Sequence, residues 1–356
     1  MEADTLTKRL EDIEDPLTGE TLGSLELVTD VSIEDETAKV SLALNTPYSP
    51  TEGEIGDAVR EVISDAGLEP DLTAAVGREQ GFDEDILPSV RNVIAVASGK
   101  GGVGKTTVAA NLAAGLERRG AFVGLLDADV HGPNAPRILP VEGEPGVTAE
   151  EDEIVPPQSD GVKVMSMSFL LHHQDDPAIM RGPMVNHVMT HFLENVEWGY
   201  LDYLVVDLPP GTGDASINLL QTLPVTGTVI VTTPQQMALD DAVKGLRLFE
   251  KHNTPVLGVV ENMATFQCPT CEDEHAIFGH EGAVDIVEEY DVPLLGQLPV
   301  HPDYGADGTE DPVVKSETAV QAVTEELVVE TLERVGAINR LQVREADPTS
   351  VVGTTD

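Results

Sequence analysis

Two textures of hydrophobic patterning divide the chain. Up to about residue 80 the apolar positions fit a small α+β unit. Residues 4–14 follow a polar helical pattern, 25–31 and 38–44 read as short strands, and 52–66 form an amphipathic helix. Residues 78–89 are acidic and carry Gly81 and Pro88, which places a linker at about 81–91. From Asn92 the texture changes. Short apolar runs at 93–97, 122–126, 203–206, 228–231, 256–260 and 294–296 alternate with helical stretches such as 108–119. Apolar strands alternating with helices predict an α/β fold with a doubly wound parallel sheet over 92–340, covered on both faces. The acidic, Pro-bearing stretch 141–161 reads as an excursion from that sheet, and 341–356 as a disordered tail.

Composition adds one strong constraint. Of 356 residues, 64 are Asp or Glu and only 20 are Lys or Arg, a formal charge of −44 spread along the whole chain. Such a surface repels phosphate backbones and anionic lipid heads, so neither nucleic acid nor a membrane is expected as partner. Self-repulsion on this scale is tolerable where salt screens it, as in the salt-rich cytosol of halophiles. Aromatics are 4% of the chain, so the core must be built from Val, Leu, Ile and Ala. The first fifteen residues are polar and unlike a signal peptide, and no apolar run reaches the roughly 18–20 residues of a membrane span. The expectation is a cytoplasmic protein.

Candidate chemistry starts directly after the run 93–97. Gly99, Lys100, Gly101, Gly102, Val103, Gly104, Lys105, Thr106 and Thr107 fit the phosphate-binding pattern G-x-x-x-x-G-K-[ST], between strand and helix. Glycines let backbone N–H groups turn toward a phosphate chain, and the helix N-terminus adds favourable partial charge. Lys105 would reach the β- and γ-phosphates of ATP, and the Thr106 hydroxyl would bind Mg²⁺. Lys100 is too far round the turn to repeat that task but could reach a phosphate held by a neighbouring subunit. Asp207 ends an apolar strand where a Mg²⁺-holding carboxylate usually stands, and Gly211 follows in a loop that could offer its N–H to a γ-phosphate. Asp127 and Asp129 end the second strand, placed to orient water or Mg²⁺. Asn262 offers a donor and an acceptor suited to adenine.

Cys268 and Cys271 are the only cysteines. Two thiols this close can ligate one metal centre from one loop, and a two-fold dimer would supply the four that a 4Fe–4S cluster generally takes. Zinc with His275 and His280, a redox dithiol, and structural cysteines are the rival readings.

The runs 99–107, 127–134, 181–184 (Arg-Gly-Pro-Met), 202–214 and 261–271 together resemble the Mrp/ApbC family of iron–sulfur cluster carrier ATPases. That family belongs to the deviant Walker A class that includes MinD and the nitrogenase iron protein. The resemblance covers about residues 92–337. Asp15-Pro16 and Asn45-Thr46-Pro47 resemble a small SufT/PaaD-like iron–sulfur assembly domain, although Tyr48-Ser49 stands where that domain often has a cysteine. The resemblance implies an ATP-hydrolysing homodimer that bridges one cluster with both cysteine pairs and hands it to apo iron–sulfur proteins. It also implies that Lys100 acts across the interface, that Lys105, Thr106 and Asp129 serve phosphate, Mg²⁺ and hydrolysis, and that Asn262 contacts adenine. A MinD-like positioning ATPase is the alternative. It would need a basic amphipathic membrane helix, whereas 318–339 carries Glu325, Glu326, Glu330 and Glu333 against Arg334 alone. A nitrogenase-like electron donor is disfavoured because both cysteines lie in one loop.

The charge balance generates the first prediction. Lowering KCl from about molar to about millimolar lengthens the Debye length from about 3 Å to beyond 30 Å, and the melting temperature followed by circular dichroism falls. An unchanged melting temperature would refute adaptation to salt.

Overall fold

The computed structural model describes residues 2–74, 86–129, 132–141, 143–148, 153–170, 182–268, 270–271, 273–279, 282–305, 312–315, 317–318 and 320–346. Residues 81–85 of the expected linker and 347–356 of the expected tail lie outside them. Two compact units emerge, one of residues 1–82 with 332–356, the other of residues 83–331.

The first unit runs α1 (Ala3–Glu11), β1 (Val28–Glu34), β2 (Thr37–Leu42), α2 (Pro50–Asp65), β3 (Glu69–Ala74). β1 and β2 pair antiparallel, and β3 joins β2 in parallel. Strand alternation turns Ala38, Val40 and Leu42 inward, and they share a core with Leu6 and Leu10 of α1 and Ile55, Val59 and Ile63 of α2. The sequence pattern did not predict β3, because Glu-Pro-Asp-Leu-Thr-Ala offers only one half-buried position, Leu72, and its edge place tolerates Pro70.

The second unit runs β4 (Val90–Ala97), α3 (Lys105–Arg118), β5 (Val123–Asp127), α4 (Ala135–Ile138), β6 (Gly146–Val147), β7 (Ile154–Val155), β8 (Gln158–Ser159), β9 (Val162–Ser166), α5 (Gly182–Glu194), β10 (Leu201–Asp207), α6 (Asp214–Thr222), β11 (Gly227–Thr232), α7 (Gln236–Lys251), β12 (Val256–Gln267), β13 (Glu274–His275), α8 (Gly282–Tyr290) and β14 (Leu294–Val300). The main sheet has the order β13-β12-β11-β4-β10-β5-β9-β8, with β14 also parallel to β12. Every strand candidate from 93–97 onward lies in this sheet. β4, β5, β10 and β11 are buried along nearly their whole length, as strands covered on both faces must be. β9 went unpredicted because it is only five residues long and carries Lys163. In the excursion, β6 and β7 form their own hairpin, while β8 pairs antiparallel with β9 at the sheet edge.

The C-terminal helix α9 (Gln321–Ala346) corrects the expected tail, since it continues past 341, and its residues from Leu332 belong to the first unit. Three polar anchors explain the placement. The Arg340 guanidinium pairs with Asp15 at 2.9 Å, with both side chains almost fully buried. Asn339 Nδ2 donates to Thr46 Oγ1 at 3.0 Å. Glu333 accepts from the Thr51 amide (3.0 Å) and hydroxyl (2.6 Å), capping a helix whose own Ser49 makes no side-chain cap. Asp15 and Thr46, two residues that carried the resemblance to an assembly domain, thus spend their side chains on holding α9.

Removing one partner of a buried ion pair strands the other charge, at a cost of about 3–5 kcal/mol. Arg340→Ala is therefore expected to speed hydrogen exchange in β1–β3 by more than tenfold, read by mass spectrometry. The double variant Asp15→Asn/Arg340→Met recovers most of the protection. Equal exchange in Arg340→Ala and wild type would remove the pair as a determinant of this unit.

Candidate functional site

Four parallel strands deliver the site to one edge of the sheet. β4 opens into residues 98–104, β5 ends at Asp127, β10 ends at Asp207, and β12 carries Asn262. This is the carboxyl edge, beside the central strand, where open α/β sheets bind ligands. The phosphate loop is shaped by its glycines. Gly102 and Gly104 have φ of +80° and +87°, which side chains disfavour. A Cβ on Gly99 would strike the backbone of Asp241 in α7, and one on Gly104 would strike the Asn262 amide. A Cβ on Gly101 would meet nothing within 4 Å, so that stretch of the loop opens on free space. Val103 is buried, and Thr107 follows Lys105 and Thr106 in the first turn of α3.

Lys105 is almost wholly buried, with Nζ 2.5 Å from Asp207 Oδ1 and 3.9 Å from Asp129 Oδ2. Thr106 Oγ1 donates to the other oxygen of Asp207 at 2.6 Å. The strand ladder sets Asp207 directly beside Asp127. Two carboxylates side by side and out of water resist ionisation together. Burial, and then the Asp207 charge, push Asp127 up to about 7. Burial also raises Asp207, while Lys105 and Thr106 pull it back down.

Several expectations change in detail. Asp127 does not face water or Mg²⁺: its oxygens accept from the amides of Asp129 (3.1 Å) and Ala135 (3.0 Å) and from Ser166 Oγ (3.1 Å). It braces the loop that presents Asp129. The Gly211 N–H points at the Ser98 carbonyl (2.8 Å) and not into the loop. Asn262 Nδ2 donates to the Val103 carbonyl at 2.8 Å, and its Oδ1 accepts from the next amide, Met263, so both amide functions are engaged within the chain. Lys100 reaches Gln235 Oε1 at 3.4 Å, at the start of α7. Ser166, Gln235 and Ser98 were not singled out in the sequence. Only the fold brings them to the site, and no local pattern marks them.

The cysteine pair sits at the tip of a hairpin. β12 and β13 pair Phe266 with His275 and Gln267 with Glu274. Cys268 is half-buried and Cys271 exposed, both as free thiols. The amides of Thr270 and then Cys271 lower the Cys268 thiol below its ordinary range. Among the described residues no group of three or more His, Cys, Asp or Glu is gathered to hold a metal. His280 of the zinc reading and Arg181 of the family motif lie outside the described residues.

Lys105→Ala tests the loop. Nucleotide binding, followed by fluorescence of a labelled ADP, is expected to be lost. The variant still folds, but Asp127 and Asp207 lose the cation that pulls both of them down and rise further. Raised carboxyls stabilise at low pH and lose that contribution as pH climbs. The melting deficit relative to wild type therefore grows as pH rises through about 7, where Asp127 titrates in wild type, toward about 3–5 kcal/mol. Undiminished nucleotide binding would take Lys105 out of the site.

The family pattern described as NUBPL iron-transfer P-loop NTPase matches residues 89–334, and that described as iron–sulfur cluster assembly protein matches residues 3–75. The iron-sulfur cluster carrier protein of Synechocystis is 41% identical over 306 residues, covering 83% of this chain and 86% of that protein. Its counterpart in Deinococcus radiodurans is 43% identical over 299 residues, covering 83% and 84%. Among solved structures, a nucleotide-binding protein from Archaeoglobus fulgidus in complex with ADP matches with a TM-score of 0.54 and 36% identity, covering 68% of this chain and 89% of that one. With that pattern spanning well over half its length, the chain belongs to the NUBPL iron-transfer P-loop NTPase family.

Proposed function

We propose that this protein is an ATP-dependent carrier that holds a 4Fe–4S cluster between two copies of the chain and passes it to apo iron–sulfur proteins. The observation that carries the reading is the hairpin tip, which presents two free thiols with their outer atoms toward solvent. Two thiolates leave half of a cubane's usual ligand set to be found elsewhere. A second copy related by two-fold symmetry supplies it with no further residue type. The lowered Cys268 thiol suits a ligand, since the thiolate is the form that binds metal.

The nucleotide half of the proposal rests on the carboxyl edge. The open space at Gly101 and the positive-φ glycines fit a phosphate chain. Lys105 would leave Asp207 for the β- and γ-phosphates. Thr106 and Asp207 would hold Mg²⁺, and Asp129 would orient the water for hydrolysis. Gly99, Val103 and Thr107 complete the loop's backbone, and Lys100, half-buried beside Gln235, would reach a phosphate in the partner. Hydrolysis then acts as a switch on the dimer. The carrier proteins among the relatives favour this reading over a positioning ATPase. No described helix is long and apolar enough to cross a membrane.

The experiment is iron analysis of protein purified without oxygen and reconstituted. A bridged 4Fe–4S cluster gives about two iron atoms per chain and a broad visible charge-transfer band. Cys268→Ala and Cys271→Ala each lose the band, keep nucleotide binding, and fail to activate an apoprotein acceptor. A reconstituted wild type without iron, or a double cysteine variant that still transfers clusters, would end the carrier reading.

A further inference from the structure

The strand that carries Asn262 also carries the cysteine hairpin, and its two neighbouring polar residues divide the work. Glu261 is buried at the point where β12 leaves β11. Its Oε1 accepts from the Ala283 amide at the start of α8 (2.8 Å), and its Oε2 accepts from Gln297 Nε2 of β14 (2.6 Å). Residues 262–282 thus leave and return at a base pinned by one carboxylate. Alternation along the strand turns the next side chain, Asn262, to the other face, where it touches the phosphate loop through Val103 and crowds Gly104. Directly after it the strand bends. Met263 has φ of +60°, and between Asn262 and Phe266 the register with β14 slips. A left-handed conformation at a non-glycine residue is costly, and here the Asn262 side chain holds it, with Oδ1 accepting from the Met263 amide at 3.0 Å.

We propose that Asn262 is a positioning residue that couples the phosphate loop to the cysteine hairpin. Glu261 is the fixed point and Asn262 the handle. Glycines flank the Val103 carbonyl to which the Asn262 amide is tied, on a loop that must rearrange when phosphate displaces Lys105 from Asp207. Any shift of that carbonyl pulls on Asn262 and through it on the Met263 bend, five residues before Cys268. The significance of the coupling for cluster handling rests on the carrier reading above; the coupling itself does not need a cluster.

The test measures the rate at which a maleimide alkylates Cys268 and Cys271 in cluster-free protein, with each site resolved by mass spectrometry. Wild type and Asn262→Ala are compared without nucleotide and with saturating Mg-ADP. One hydrogen bond of this kind is worth a factor of about 3 to 10 in such a rate. In wild type, Mg-ADP changes the alkylation rate by that factor. Asn262→Ala without nucleotide already differs from nucleotide-free wild type by a similar factor, and added Mg-ADP changes it no further. Asn262→Asp, which keeps the acceptor for Met263 but cannot donate to Val103, behaves like Asn262→Ala in its indifference to nucleotide. The coupling is overturned if wild-type thiols ignore Mg-ADP, if Asn262→Ala retains the full response, or if nucleotide-free Asn262→Ala matches wild type. The nucleotide-free comparison decides even where a variant no longer binds ADP. Because no iron is present, a negative outcome here leaves the iron analysis to judge the carrier reading separately.

Discussion

The Lys105 ammonium between buried carboxylates is the interaction around which the second unit is organised. A parallel sheet brings the ends of β5 and β10 side by side, and both end in aspartate. Two such groups cannot both stay charged in a dry place without a cation. Lys105, delivered by the first turn of α3, is that cation, and the tight turn at Gly104 is what lets the helix begin there. The same cation is the one the phosphate loop would offer to a nucleotide. On the proposed function, phosphate and Asp207 would compete for one ammonium, and Asp207 would need compensation in turn when it loses. A divalent metal arriving with the nucleotide would supply it, which would give the pairing of ATP with Mg²⁺ a local electrostatic reason. Three hydrogen-bond donors hold Asp127, and through the Asp129 amide it sets the geometry of Asp129.

Much of this was legible from the sequence. Buried parallel strands announce themselves as short apolar runs, and the phosphate loop has a fixed spacing, so the sheet, the central strand and residues 99–107 could be read directly. The cysteine pair could be read too, because two thiols in a chain otherwise without any are hard to misplace. What could not be read was orientation. Asn262 looked like a free amide, yet the fold spends both of its functions on the chain itself. Gly211 looked like a donor toward phosphate, yet its N–H points at Ser98. Such details depend on side-chain direction between strands distant in sequence, which no local pattern encodes. β3 and β9 escaped for other reasons: β3 offers a single half-buried position, and Lys163 interrupts the apolar run of β9.

The first unit shows the same lesson at larger scale. Its apolar core closes with residues from the first 65 positions, and hydrophobic spacing accounts for it. Its polar interior does not close that way. Asp15, Thr46 and Thr51 all find partners on α9, 282 to 325 residues later, and only the three-dimensional arrangement reveals why a C-terminal helix so acidic along one stretch carries a buried arginine near its end.

That arrangement sets a timetable for synthesis. Asp15 leaves the ribosome 325 residues ahead of Arg340, and at typical elongation rates the interval is roughly 15–65 s. For that time the nascent first unit has its apolar core but lacks the guanidinium that pairs with its buried carboxylate, which favours a loosely closed form. The unit whose residues are made first is thus among the last to be finished. The emergence of Arg340, and not that of residue 82, marks when it can lock.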